Sequence, residues 1–89
     1  MELNFTKKDG WYVAEFEATG DFNVHIEREA GNFMFYQKTA GGEYDHIYGA
    51  CYLDSMKVFD RDFVGLVYPK SIRIKSETLP SVAVVTMSK

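Results

Sequence analysis

The sequence predicts an all-β domain, either an antiparallel sandwich or a small barrel, and three observations point there. Turn-forming residues punctuate the chain at short intervals: Asp9-Gly10, Thr19-Gly20-Asp21, Ala30-Gly31-Asn32, Ala40-Gly41-Gly42, Asp54-Ser55, Asp60-Arg61-Asp62, Tyr68-Pro69-Lys70 and Thr78-Leu79-Pro80-Ser81. Seven Phe, six Tyr and one Trp in 89 residues suit pleated, packed surfaces better than helices. Nowhere do apolar residues recur at helical spacing over two turns behind a capping residue.

The first hairpin can be worked out on paper. A type I′ turn needs two positive φ values, which Gly supplies freely and Asp tolerates. With Asp9-Gly10 as the loop, Lys8 faces Trp11, Phe5 faces Ala14 and Leu3 faces Phe16. Leu3, Phe5, Tyr12, Ala14 and Phe16 then share one side, with Trp11 and Val13 opposite, beside Thr6 and Lys8. Strands are expected near 2 to 7, 11 to 17, 21 to 28, 32 to 38, 43 to 52, 71 to 76 and 81 to 87, with shorter pieces near 56 to 59 and 63 to 67, nine segments that read as a sandwich of about eight strands. Gly49-Ala50-Cys51 reads as a bulge, since Gly inside a strand usually marks one. Between Lys70 and Ser76, the alternation of Ser71, Arg73 and Lys75 with Ile72 and Ile74 reads as a strand with one wet face.

Length allows one domain, residues 1–89, burying on the order of 60–65% of the surface its unfolded chain exposes. A net charge of −3 lacks the basic footprint that nonspecific nucleic-acid binding needs. Cys51 stands alone, so neither an intrachain disulfide nor a thiolate metal cage is expected, in keeping with a reducing compartment. The opening MELNFTKKDGW has no apolar secretory core, and no run approaches the ~18 apolar residues that span a bilayer. Synthesis in the cytosol, with retention there or exit by a route other than secretion, and no membrane partner, is the expectation.

Candidate chemical sites are sparse. His25 and His46 are too few for a metal triad, and Asp45 and His46 point to opposite faces of a strand. Asp54, Asp60 and Asp62 lack the order of a calcium loop and read as a solvated turn. No serine has a nucleophile-elbow surround, and no phosphate loop or dinucleotide fingerprint is present. A non-enzymatic protein without cofactor or metal is expected.

What stands out is apolar character on both faces of some strands. Phe22, Val24 and Ile26 alternate with Asn23, His25 and Glu27, whereas Phe33, Met34, Phe35 and Tyr36 run consecutively. Similar doubling occurs in Val82-Ala83-Val84-Val85 and from Tyr48 to Leu53. If the two arms around Ala30-Gly31 form a hairpin with a two-residue loop, Ile26 faces Phe35 and Arg28 faces Phe33. The phenylalanines then enter the core, leaving Met34, Tyr36 and His25 outside as a candidate interface. Tyr and Met tolerate such positions, the first through its hydroxyl and the second through its adaptable thioether. Covering them with a second copy favours a homo-oligomer.

The stretches GDFNVHIEREAGNFMFYQKTAGGEYD and VYPKSIRIKSETLPSVAVVT, spanning Gly20 to Thr86, resemble galactose-binding-like jelly-roll sandwiches. They also resemble small all-β virion accessory proteins of tailed bacteriophages and prophages, of the head-decoration or fibre type. The resemblance implies an antiparallel, jelly-roll-like β-sandwich. From the phage side it implies a structural, self-associating role in the virion, with contacts to other virion proteins. The carbohydrate-binding alternative would use exposed aromatics, with Trp11, Tyr44 and Tyr48 as ligand-facing candidates.

Overall fold

A computed structural model describes residues 1–38, 42, 45–51 (backbone only) and 55–87. Eight strands are present among them: β1 (Thr6–Lys8), β2 (Trp11–Ala18), β3 (Phe22–Glu27), β4 (Phe33–Lys38), β5 (Asp45–Cys51), β6 (Val58–Phe63), β7 (Lys70–Ser76) and β8 (Val82–Met87). They form a five-stranded sheet, β1-β2-β7-β4-β5, and a three-stranded sheet, β6-β3-β8. Every pairing is antiparallel.

The pairings nest. β4 pairs with β5, β3 with β6 and β2 with β7, and outside them Glu2 bridges to Val84 of β8. One long hairpin folded across itself in this way is the winding of a jelly roll. The N-terminal segment supplies the outermost layer: the Leu3 amide donates to the Ala83 carbonyl at 2.9 Å and the Val85 amide to the Met1 carbonyl at 2.8 Å. These bonds cover part of the β8 edge, so fewer backbone groups are left to recruit a stray strand. The far edge of β6 has no partner strand among the described residues; Asp60, Arg61 and Asp62 along it discourage pairing.

Ring contacts between the sheets hold the sandwich. Phe33 and Phe35 project from the five-stranded sheet, and Phe22, Phe59 and Phe63 from the three-stranded one. Phe35 lies 5.1 Å from Phe59 and 5.2 Å from Phe63, centroid to centroid. Phe22 stacks on Phe63 at 5.0 Å and meets Phe16 edge-on at 5.4 Å. Such pairs contribute about 0.5–1.5 kcal/mol each beyond the area they bury. Val24, Ile26, Ile72, Ile74 and Val85 fill the spaces between the rings.

One end of the core is closed by a polar group. Arg28 is buried with its guanidinium 4.8 Å from the Phe33 ring. Its Nη1 donates to Ser76 Oγ at 3.3 Å, and Ser76 Oγ donates in turn to the Thr78 carbonyl at 2.7 Å. At the other end Asp21 ties down the β6–β7 connection, its Oδ1 accepting from the Gly65 amide at 3.1 Å and the Tyr68 hydroxyl at 2.8 Å. Burial, followed by this bond to a carboxylate, pushes the Tyr68 pKa up.

Several expectations are corrected. The Asp9-Gly10 hairpin has the expected turn, with φ of 52° and 82°, and the expected register, Lys8 opposite Trp11. However, Leu3 does not face Phe16, because the chain leaves β2 before Thr6 to reach β8. β3 and β4 are not a hairpin: they lie in opposite sheets, so Ile26 and Phe35 enter one core from its two sides rather than pairing along a ladder. Asp60-Arg61-Asp62 is not a turn but the middle of β6, joining the two short pieces expected there. Phe59 and Phe63 point inward from it, while Asp60 and Asp62 are held by partners on β3. The β4–β5 register shifts between the pairs Tyr36–His46 and Met34–Cys51, in the stretch that contains Gly49. Among the described residues no helix is long and apolar enough to cross a membrane.

Candidate interaction surfaces

Two solvent-facing sheet surfaces lie on opposite sides of the sandwich, and antiparallel register sets the contents of each. On the three-stranded sheet, Asn23, His25 and Glu27 alternate with the buried Phe22, Val24 and Ile26, so all three face out. Side chains of directly paired residues lie on the same face. The rows are therefore Thr86–Asn23–Asp62, then Glu2–Val84–His25–Asp60, then Val82–Glu27–Val58. Four carboxylates share this face with one imidazole, and two of them, Glu27 and Asp60, contact it. Val58 is 58% exposed and Val82 and Val84 are half-buried.

A hydrogen-bonded network runs through this face. His25 Nδ1 lies 2.8 Å from Asp60 Oδ2, and Nε2 lies 2.8 Å from Glu27 Oε2. Asn23 Nδ2 donates to Asp60 Oδ1 at 2.8 Å and to Asp62 Oδ1 at 3.0 Å. A neutral imidazole has one N–H, whereas two carboxylates facing its two nitrogens favour the doubly protonated form. The bonds to Glu27 and then to Asp60 accordingly raise the His25 pKa above its ordinary 6.5. Asp60 is lowered from 3.8, first by the Asn23 amide and then by His25. With both ring nitrogens engaged by carboxylates, His25 is held in place on this face and its protonated form is favoured. Among the described residues no three His, Cys, Asp or Glu side chains are grouped to hold a metal ion.

The outer face of the five-stranded sheet has different chemistry. Its rows are Lys8–Trp11, then Thr6–Val13–Lys75–Met34, then Glu15–Arg73–Tyr36, then Glu17–Ser71–Lys38. The Lys75 ammonium sits 4.9 Å from the Trp11 ring centroid and 5.8 Å from that of Tyr36. Arg73 Nε pairs with Glu15 Oε2 at 2.6 Å. Met34, opposite in direction to Phe33 and Phe35, is only 7% exposed, and its Sδ accepts from the Tyr36 hydroxyl at 3.2 Å. A shallow groove of about 270 Å³ lies among Lys8, Asp9, Val13, Glu15, Arg73 and Lys75.

The expected interface residues are thus divided. Met34 and Tyr36 share one outer face, and His25 lies on the other because β3 and β4 belong to different sheets. Tyr36 and Trp11 offer more surface than Met34, which Tyr36 helps to cover. Of the ligand-facing candidates, Trp11 is half-buried at the start of β2; Tyr44 lies outside the described residues, and so does the side chain of Tyr48 in β5. Asp54, considered with Asp60 and Asp62, also lies outside them.

Sequence reasoning missed the His25 network. The signal was present in the alternation Val58, Asp60, Asp62 against Phe59, Arg61, Phe63, a two-residue period masked by turn-like composition. No protein-family model, curated protein or solved structure matches the chain. Surface chemistry therefore bears the functional argument.

Proposed function

We propose that this chain is a non-enzymatic structural module that assembles with copies of itself, in the manner of a phage or prophage virion accessory protein. The observation supporting self-association is the outer face of the five-stranded sheet. There Trp11, Val13, Met34 and Tyr36 gather around Lys75 on three neighbouring strands, where a sheet facing only water would alternate to polar residues. Trp and Tyr are the residues most enriched at energetic centres of interfaces. Both are half-buried already, so covering the remainder contributes about 1 kcal/mol each, half or less of the value for a fully exposed side chain. Repetition of the contact by symmetry makes this sufficient for assembly at high local concentration.

Sedimentation equilibrium over a wide concentration range tests the reading. The wild-type chain should exceed monomer mass, and Trp11→Ala or Tyr36→Ala should weaken association about tenfold or more. A chain that stays monomeric at millimolar concentration refutes it. For the virion assignment, adjacent capsid or tail genes are the expected genomic setting.

A second reading rests on the groove beside Trp11, where Lys8, Asp9, Glu15, Arg73 and Lys75 supply hydrogen-bonding groups for a saccharide. It ranks below the first because the Lys75 ammonium lies over the Trp11 ring, where a sugar would stack. Absence of binding to a glycan array at millimolar sugar removes it.

A further inference from the structure

We infer that copies associate head to tail, the outer face of the three-stranded sheet of one copy docking on the outer face of the five-stranded sheet of the next. This rests on the self-association reading above and specifies its partner surface.

Charge is the first argument. Glu2, Glu27, Asp60 and Asp62 lie on the three-stranded face around His25. On the five-stranded face, Lys8, Lys38, Arg73 and Lys75 stand against Glu15 and Glu17 among the described residues. One face is therefore net negative and the other net positive. Two copies of either face would oppose like charges, whereas the unlike faces attract, and juxtaposed like charges are what exclude a pairing. Apolar content is the second argument. Val58, Val82 and Val84 flank the carboxylates on one face, and Trp11, Val13 and Tyr36 flank the lysines on the other. Each face so combines a charged field with an apolar contact.

Area sets the strength. Three strands about 4.8 Å apart and six residues long at about 3.3 Å rise present a face of roughly 300 Å². That places the contact among small, concentration-dependent interfaces rather than permanent ones. Unlike faces on opposite sides of one body also leave a free face at each end of a pair, so addition continues into a filament or a ring. With sheets about 10 Å apart within a copy and across the contact, the repeat along the stack is about 20 Å.

Two double variants test this by sedimentation equilibrium, with circular dichroism to verify folding. Glu2→Lys with Asp62→Lys reverses one face and leaves the His25 bridges intact; Lys8→Glu with Lys75→Glu reverses the other. Each alone should associate at least tenfold more weakly than wild type. Mixed in equal amounts, the two should recover association to within about threefold of wild type, because each contributes the face the other lacks. Raising the salt from 0.05 to 0.5 M should weaken wild-type assembly severalfold as charges are screened. If the Lys8/Lys75 variant fails to fold, Lys38→Glu takes its place. A wild-type oligomer left unchanged by the Glu2/Asp62 reversal would mean that like faces pair; the head-to-tail arrangement would then fall and self-association would stand. Failure of the mixture to recover association also overturns the arrangement. A monomeric wild type removes both.

Discussion

Replacing Phe35 with alanine tests whether the two sheets share one packed aromatic core. The ring is fully buried and meets three others, Phe59 at 5.1 Å, Phe63 at 5.2 Å and Phe33 at 5.5 Å. Two of these belong to the opposite sheet, so truncation removes contacts within and between layers. Phe→Ala in a core costs about 3–5 kcal/mol through lost transfer free energy and the remaining cavity. A domain of this length has a total stability of roughly 4–13 kcal/mol, so the change should remove about a quarter or more of it. Urea unfolding provides the measurement, followed by far-UV circular dichroism and the fluorescence of Trp11, the single tryptophan. With a slope of about 1–2 kcal/mol per molar urea, the midpoint should fall by roughly 1.5–5 M at unchanged slope. Val67→Ala, at a side chain 71% exposed, should stay within about 0.5 kcal/mol. A Phe35→Ala shift below about 0.5 M would refute a common core between the sheets.

Gly10→Ala should cost about 1 kcal/mol in the same assay. Its φ is +82° and no atom lies within 4 Å of the added methyl, so the penalty comes from the backbone alone. Asp21→Ala should destabilise by about 1–2 kcal/mol and speed amide exchange at Gly65, since two hydrogen bonds end on its Oδ1. By NMR, His25 should titrate above 6.5 and Asp60 below 3.8. The signs then differ: the His25 contribution to stability is complete below pH 6.5 and lost as pH rises through the raised value, and the Asp60 contribution is present above 3.8 and lost as pH falls through the lowered one. A His25→Gln chain should lose the first dependence. Facing His25 are Asp60 from β6, Glu27 from its own strand and the uncharged Val84 from β8. Loss of its proton therefore makes that face more negative, and head-to-tail association should tighten as pH rises through the same titration.

Local chemistry was legible in the sequence, and long-range pairing was not. Asp9-Gly10 fixes its own hairpin because the turn brings the strands together at once. The alternations in β3 and β7 identify buried faces correctly, and Phe33 and Phe35 enter the core as expected. The error was to join β3 with β4 because they are neighbours in sequence. Nothing local in Ala30-Gly31 states whether the next strand turns back along the same sheet or crosses to the other. Arg28 illustrates the ambiguity: it approaches Phe33 in either arrangement, in one as a ladder neighbour and in the other across the end of the core. His25 and Asp60 meet over 35 residues of separation, so the local alternation could place Asp60 on an outward face but could not name its partner. The same distinction divided the candidate interface, since the sheet to which each strand belongs decides whether Met34, Tyr36 and His25 can face one partner.

Nesting of the strand pairs has a kinetic consequence. Each outer pair joins chain segments farther apart than the pair inside it, so the entropy of closure increases from β4–β5 outward to the Glu2–Val84 bridge. Among these nested pairs, formation should start at the inner hairpin and finish with docking of the first residues on β8, over milliseconds to seconds for so non-local a topology. Weakening that last contact by Leu3→Ala should speed unfolding and leave the folding rate nearly unchanged in stopped-flow chevrons. A slowed folding limb would place the closing segment in the nucleus instead. Until it docks, part of the β8 edge stays open, and capture by a second molecule competes with completion of the first.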